Sequence, residues 1–188
     1  MLRTFIAVDV SAAVRRRAGE LIAQLQGTQA NVKWVATENM HWTLKFLGET
    51  RSRDVPDVCS AVADAVRPLS PFALHAGGAG AFPTASRPRT VWLGVSGGEA
   101  QMVQLHDAID EALSELGYRS EHRRFQPHLT IGRVRRSPRG ILELGTLITE
   151  QAEFDAGEMP VAEVVFFSSQ LKPSGPVYQT LGRAELLG

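Results

Sequence analysis

One cysteine, Cys59, is the chain's whole supply among 188 residues. An internal disulfide is therefore excluded, and so is a zinc site built on several cysteines. Cys59 falls in an apolar helical pattern with Val55, Val58, Val62 and Val66, which reads as a buried structural thiol. Long apolar runs are also lacking. Nothing approaches the ~18 consecutive apolar residues of a membrane span. The apolar opening, residues 1–10, is too short for a signal peptide and is interrupted by Asp9. A soluble, cytoplasmic protein is the expectation. Charge of one sign is missing as well: 20 Lys and Arg stand against 20 Asp and Glu. That balance excludes a generic polycation, while 44% hydrophobic residues exclude a disordered or coiled-coil chain. A glycine-rich phosphate loop is absent too. Gly77, Gly78 and Gly80 lie in a strand-like run that leads into no helix carrying Lys-Ser/Thr.

What is present is a run of alternating short elements. Residues 2–8 read as a strand, followed by a helix with Val10, Val14, Leu21, Ile22 and Leu25 on one face and Gly27 at its end. Residues 32–35 form a short strand. Residues 40–48 form a clearer one, with Trp42, Leu44 and Phe46 on one face and His41, Thr43 and Lys45 on the other. A helix spans residues 55–66, and strands follow at 71–82 and 90–95. Met102, Leu105, Ile109, Leu113 and Leu116 mark an amphipathic helix closed by Gly117. A strand at 126–134, a weaker helix at 141–148 broken by Gly145, and strands at 154–158, 161–168 and 177–186 complete the chain. Strands outnumber helices and often follow one another directly. The pattern predicts an α+β fold with antiparallel sheets. At this length one domain of generous size, residues 1–188, is expected, burying roughly 70% of its unfolded surface without staples.

Two strands share a chemical signature: His41-Trp42-Thr43-Leu44 and His128-Leu129-Thr130-Ile131. In a strand, residues i and i+2 share a face. Each segment therefore projects an imidazole and a hydroxyl side by side, while the intervening apolar residues face a core. Two histidines make an acid–base pair near neutral pH, because their ordinary pKa is ~6.5. One takes a proton while the other gives one. Two threonine hydroxyls donate to the non-bridging oxygens of a phosphate. This set suits in-line displacement at phosphorus without a metal.

On these motifs the sequence resembles the 2H phosphoesterase superfamily, and within it the bacterial and archaeal RNA 2′,3′-cyclic phosphodiesterases, also called 2′-5′ RNA ligases. The resemblance covers nearly the whole chain. Arg3-Thr4-Phe5-Ile6-Ala7-Val8 resembles the family's opening strand. Trp34-Val35, Glu38-Asn39-Met40 and the segment from His41 to Gly48 are similar to its first motif. Phe82-Pro83 with Arg87-Pro88-Arg89-Thr90-Val91-Trp92 resembles its middle hairpin, and Phe125-Gln126-Pro127-His128-Leu129-Thr130-Ile131-Gly132-Arg133 its second motif. Gly175 and Tyr178 match the closing segment. The resemblance implies a bilobal fold: two antiparallel β-sheets facing a central groove, helices on the outer faces, and a pseudo-twofold. It implies RNA ending in a 2′,3′-cyclic phosphate as substrate, opened to a 2′-phosphate, with reversible 2′-5′ joining and no cofactor or metal. Carried onto this chain, His41 is the proton donor, His128 the proton acceptor, and Thr43 and Thr130 hold the phosphate. The acid and base roles are open to exchange. Alternative readings are a phosphodiesterase acting on small cyclic phosphates, such as a cyclic nucleotide or an ADP-ribose cyclic phosphate, and a non-catalytic module that binds RNA ends. A monomer is expected.

Three further residues are candidates for substrate binding. Arg133 is a phosphate ligand if the strand bulges near Gly132, since its odd offset from His128 otherwise turns it away. Lys45 shares the parity of His41 and Thr43 and is placed to steer phosphate or to lie solvated. Phe125 either stacks on a base or packs. His75, His106 and His122 have no partners at metal-ligand spacing. The neutral total also hides a local excess. Arg119, Arg123, Arg124, Arg133, Arg135, Arg136 and Arg139 surround the second motif, with Glu121 as the one acid among them. A basic rim there would attract a polyanion whatever the net charge.

Overall fold

The computed structural model describes residues 1–120, 124–135, 139–173 and 175–188. These form nine strands and four helices: β1 (Leu2–Asp9), α1 (Ala12–Leu25), β2 (Val32–Trp34), β3 (His41–Thr50), α2 (Val55–Val66), β4 (Phe72–Phe82), β5 (Thr90–Gly97), α3 (Glu99–Glu115), β6 (Leu129–Val134), α4 (Ile141–Glu150), β7 (Asp155–Val161), β8 (Glu163–Lys172) and β9 (Gly175–Glu185). Local chemistry sets the helix ends. Ser11 caps α1 by accepting from Val14 N at 3.2 Å. Past α3, Gly117 takes φ +84°, and Tyr118 N donates back to the Leu113 carbonyl at 3.0 Å. Gly145 does not break α4. A Cβ there would collide with the carbonyl of Ala85, so the glycine allows a close helix–loop approach instead. No helix among the described residues is long and apolar enough to cross a membrane.

The strands run β7-β4-β5-β6-β3-β1-β8-β9, with β2 added on β6, and every pairing is antiparallel. Two four-stranded halves, β9-β8-β1-β3 and β6-β5-β4-β7, thus mirror each other in order. The two expected sheets meet at one position: β3 and β6 pair through Trp42 and Leu129. The chain order repeats too, since β1-α1-β3-α2 in the first half corresponds to β5-α3-β6-α4 in the second. Helices exchange sides. α1 packs on β7 and α4, beneath the second half, while α3 packs on β3 and α2, beneath the first. Their apolar faces (Val14, Leu21 and Leu25; Met102, Leu105 and Ile109) are buried against the sheet, whose other face is left open as a groove.

Three bulges set which side chains reach that groove. Across β1, Ala7 pairs with Thr43 but Ile6 pairs with Lys45, so Leu44 is an extra residue in β3. Leu47 is a second extra residue, between Phe46 (opposite Phe5) and Gly48 (opposite Thr4). Across β5, Trp92 pairs with Thr130 but Val91 pairs with Gly132, so Ile131 is an extra residue in β6. The bulges at Leu44 and Ile131 occupy equivalent places in the two halves. Each reverses the strand's facing after the threonine.

Candidate active site

The single β3–β6 pairing fixes the relation of the two motifs. Trp42 and Leu129 are fully buried. One residue outward on either side, the antiparallel register sets His41 against Thr130 and Thr43 against His128. All four are half-buried and open to the groove. No hydrogen bond takes up either threonine hydroxyl among the described residues, which leaves both free to donate to a ligand.

Both imidazoles are held the same way. Nδ1 of His41 lies 2.8 Å from the carbonyl of Asn39, and Nδ1 of His128 lies 2.8 Å from the carbonyl of Gln126. A carbonyl only accepts, so each Nδ1 carries the hydrogen and each Nε2 is left for chemistry. Aromatic rings fix the planes. The Phe5 ring sits 4.6 Å from His41, and Tyr178 meets His41 edge-on at 5.1 Å. Phe82 meets His128 edge-on at 4.9 Å. Burial lowers the pKa of His41 and of His128. The carbonyl hydrogen bonds oppose that shift, and the positive charge of Arg133 reinforces it in both. Asp9, paired with His41 across β1, pulls the His41 pKa upward, and no carboxylate among the described residues does the same for His128.

A bulge does fall beside Gly132 in β6, ahead of Arg133. Arg133 is exposed, and its charge acts on His41, His128 and Tyr178. The extra residue is Ile131, next to Gly132. Gly132 itself stays small because a Cβ there would meet the Trp34 ring at 2.8 Å. The same device in β3 overturns the placement of Lys45. Its side chain is turned inward and 1% exposed, pairs with Asp110 on α3, and donates to the Arg119 carbonyl at 3.0 Å. Lys45 therefore does not face a phosphate. Phe46, expected on the core side, is 61% exposed instead. Phe125 packs rather than presenting a platform: its ring stacks on His106 at 4.2 Å and 5°.

The remaining histidines separate. His75 Nε2 lies 2.8 Å from an Asp155 carboxylate oxygen, and His106 is buried on α3. His122 lies outside the described residues, as do Arg123 and Arg136 of the basic segment. Register adds two cations to that segment. Lys33 on β2 pairs with Arg133, and the Arg89 carbonyl accepts from Val134 N at 2.9 Å. Cross-strand partners leave a sheet on the same face, so Lys33 extends the Arg133 side of the groove. Cys59 is half-buried against Gly182 of β9, and burial raises its thiol pKa. Sequence reasoning passed over the rings that box the imidazoles and the carbonyls two residues before each histidine. The repeated spacing Asn39–His41 and Gln126–His128 is the signal that finds the carbonyls.

The fold and its two mirrored motifs define a two-histidine phosphoesterase architecture. The chain belongs to the 2′-5′ RNA ligase superfamily, whose model matches residues 10–172. Among curated relatives, it is 37% identical to the RNA 2′,3′-cyclic phosphodiesterase of Methanothermobacter thermautotrophicus over 94% of this chain and 95% of that one. It is 34% identical to the protein of the same name in Thermotoga maritima over 100% and 97% of the two chains. Similar solved structures include one from Thermus thermophilus, at TM-score 0.82 and 27% identity over 100% of this chain and 99% of that one. Another is E. coli LigT complexed with 3′-AMP, at TM-score 0.75 and 25% identity over 100% and 99%.

Proposed function

We propose that this chain hydrolyses RNA 2′,3′-cyclic phosphate ends to 2′-phosphomonoesters by two-histidine acid–base catalysis without a metal. The observation that carries the reading is the pair of imidazoles at the β3–β6 seam, each with Nδ1–H tied to a carbonyl and Nε2 free. The names of the relatives support the substrate class. In the forward reaction, Nε2 of His128 takes a proton from water as its oxygen bonds to phosphorus. The P–O3′ bond breaks, and Nε2 of His41 gives its proton to O3′. We assign the donor role to His41 because Asp9 stands opposite it across β1, whereas no carboxylate among the described residues acts on His128. Thr43 and Thr130 donate to the non-bridging oxygens, and Arg133 offsets the charge that builds on them. With a 5′-hydroxyl in place of water, the same groups keep their roles and join a 2′-5′ linkage, and in the reverse cleavage of that linkage they exchange them.

The test is the product formed from an oligonucleotide ending in a 2′,3′-cyclic phosphate. A 2′-phosphate is expected, formed at the same rate in EDTA, and lost in His41→Ala and in His128→Ala. A 3′-phosphate, or an unchanged rate in either variant, sinks the reading.

A further inference from the structure

Two hollows of similar size flank the seam, one on each half of the sheet. The first, about 510 Å³, opens beside His41, Phe167 and Tyr178 and is lined by Arg15 and Arg183 as well as Asp9 and Glu38. The second, about 500 Å³, lies on the His128 side, against Gln126 and Pro127. Its floor is Trp92 with Gly77, Gly78 and Gly94. The repeat of the two halves is broken there. Trp92 stands opposite Thr130 where Ala7 stands opposite Thr43, so an indole replaces a methyl group at the equivalent place.

The surrounding sequence makes room for that indole to lie flat. A Cβ on Gly80 would collide with the Trp92 ring, and one on Gly94 would meet it at 3.0 Å. The ring therefore rests across the backbones of β4 and β5, beside Phe82 at 5.2 Å, with its other face toward the groove. Charge distinguishes the two hollows. The second is edged by Glu99, Glu153 and Asp155, and no Lys or Arg lines it among the described residues. Asp155 is held ionised: the His75 hydrogen bond lowers its pKa, and the Gly157 amide adds to the effect. A phosphate backbone is repelled from such a rim. A neutral aromatic ring that stacks on the floor and donates exocyclic N–H groups to the carboxylates fits it.

We propose that this second hollow is a nucleobase subsite with Trp92 as its stacking platform. It takes an amino-bearing base, on the nucleoside attached through its 5′ oxygen on the His128 side of the phosphate. The proposal rests on the reading of the site given above. In that reading, the position opposite the departing O3′ belongs to water in hydrolysis and to a 5′ oxygen in the two-nucleoside reaction. A 2′-5′-linked dinucleotide then breaks as its 3′-hydroxyl bonds to phosphorus and gives its proton to His41. The P–O5′ bond breaks, and the 5′ oxygen takes its proton from His128, leaving a 2′,3′-cyclic phosphate and a free nucleoside.

Two measurements test the subsite. In the first, kcat/KM is measured for 2′-5′ adenylyl-adenosine and for adenosine 2′,3′-cyclic phosphate, and their ratio is compared between the native chain and Trp92→Leu. The ratio is expected to fall about tenfold or more, the scale of one base–aromatic stack. A ratio that does not move overturns the subsite. In the second, adenosine is titrated against intrinsic tryptophan fluorescence, using Trp92→Phe, which keeps a flat ring in the same space. Quenching is expected in the native chain and lost in the variant. Quenching that survives the substitution overturns the assignment, and uridine binding as well as adenosine overturns the preference for an amino-bearing base. Failure of the native chain to open a 2′,3′-cyclic phosphate end on an oligonucleotide would sink the catalytic reading alone, because the titration reads the subsite without turnover.

Discussion

Trp42 and Leu129, each one residue past a motif histidine, face each other across the sole paired position between β3 and β6 among the described residues. Both side chains are fully buried on the core side, and the two His-x-Thr faces open on the other. The relation of the two motifs is therefore set at one backbone pairing, with two buried apolar side chains beneath it. Trp42→Ala removes the larger partner and is expected to destabilise the fold by about 3–5 kcal/mol. Trp42→Phe keeps a buried ring with a smaller loss, yet it lets the seam close differently. Its kcat is expected to fall more than its stability predicts. Chemical denaturation and steady-state kinetics on the same preparations decide this, and a kcat unchanged in Trp42→Phe would count against the seam as the setting element.

The depressed imidazoles give the pH dependence a sign. Both histidines have pKa values below 6.5, chiefly through burial. In the free enzyme, the base limb and the acid limb of kcat/KM therefore both lie on the acid side of 6.5, and the optimum falls between them. An anionic phosphate in the groove favours the charged imidazoles, so the kcat profile lies at higher pH than the kcat/KM profile. Stability follows the same linkage. The folded chain prefers these rings neutral, so that contribution is whole above pH 6.5 and is lost as pH falls through the two lowered pKa values. A kcat/KM optimum above pH 7 would contradict the burial of these rings.

Lys45 and Asp110 supply a contrast between structure and catalysis. Lys45 is 1% exposed and its charge is paired with Asp110 beneath β3, so a neutral side chain at 45 removes a buried ion pair. Lys45→Met is expected to cost about 3 kcal/mol in stability, the low end for a broken buried pair. Its KM for a cyclic phosphate end is expected to stay within about twofold of the native value, since a 1.4 kcal/mol change would already be tenfold. A large KM rise without loss of stability would return Lys45 to the groove.

Most of the architecture was legible in local patterns, because helix and strand periods are local properties. The spans read for α2, β4 and β5 agree with the structure to within about two residues. What strict alternation misread came from single inserted residues. Leu44 and Ile131 are apolar and look like ordinary core positions, but each shifts the parity of everything after it. That shift buries Lys45, exposes Phe46 and brings Arg133 to the histidines. Bulges are set by pairing with another strand, here β1 and β5, and a single segment carries no record of its partner. The start of β6 was missed for a related reason. Residues 126–128 approach the seam outside the ladder, with Gln126 using its carbonyl to hold His128.

Arg133 couples charge to proton transfer. Its positive charge lowers the pKa of both histidines, so Arg133→Gln is expected to raise both. The kcat/KM profile should move toward higher pH while its maximum falls by about a hundredfold or more, as for the loss of one donor to a developing oxyanion charge. A fall in the maximum with no movement of the limbs would mean that Arg133 holds substrate from outside the field of the imidazoles.

The basic side of the groove predicts how substrate length and salt interact. Lys33 lies beside Arg133 across the β2–β6 register, and Arg135 follows at the same end, both exposed. Neither touches the imidazoles, so their effect on an end phosphate is indirect, while a longer strand lays further phosphates over them. Each phosphate neutralised in a single strand contributes a slope of about −0.7 in log affinity against log salt. Oligonucleotide affinity should therefore fall more steeply with salt than mononucleotide affinity. A double variant, Lys33→Gln with Arg135→Gln, should reduce the oligonucleotide slope by about 1.4, twice that figure, and leave the mononucleotide slope in place. Equal slopes for long and short substrates in the native chain would confine recognition to the terminal nucleotide, and the nearby arginines would then serve solubility rather than the RNA strand.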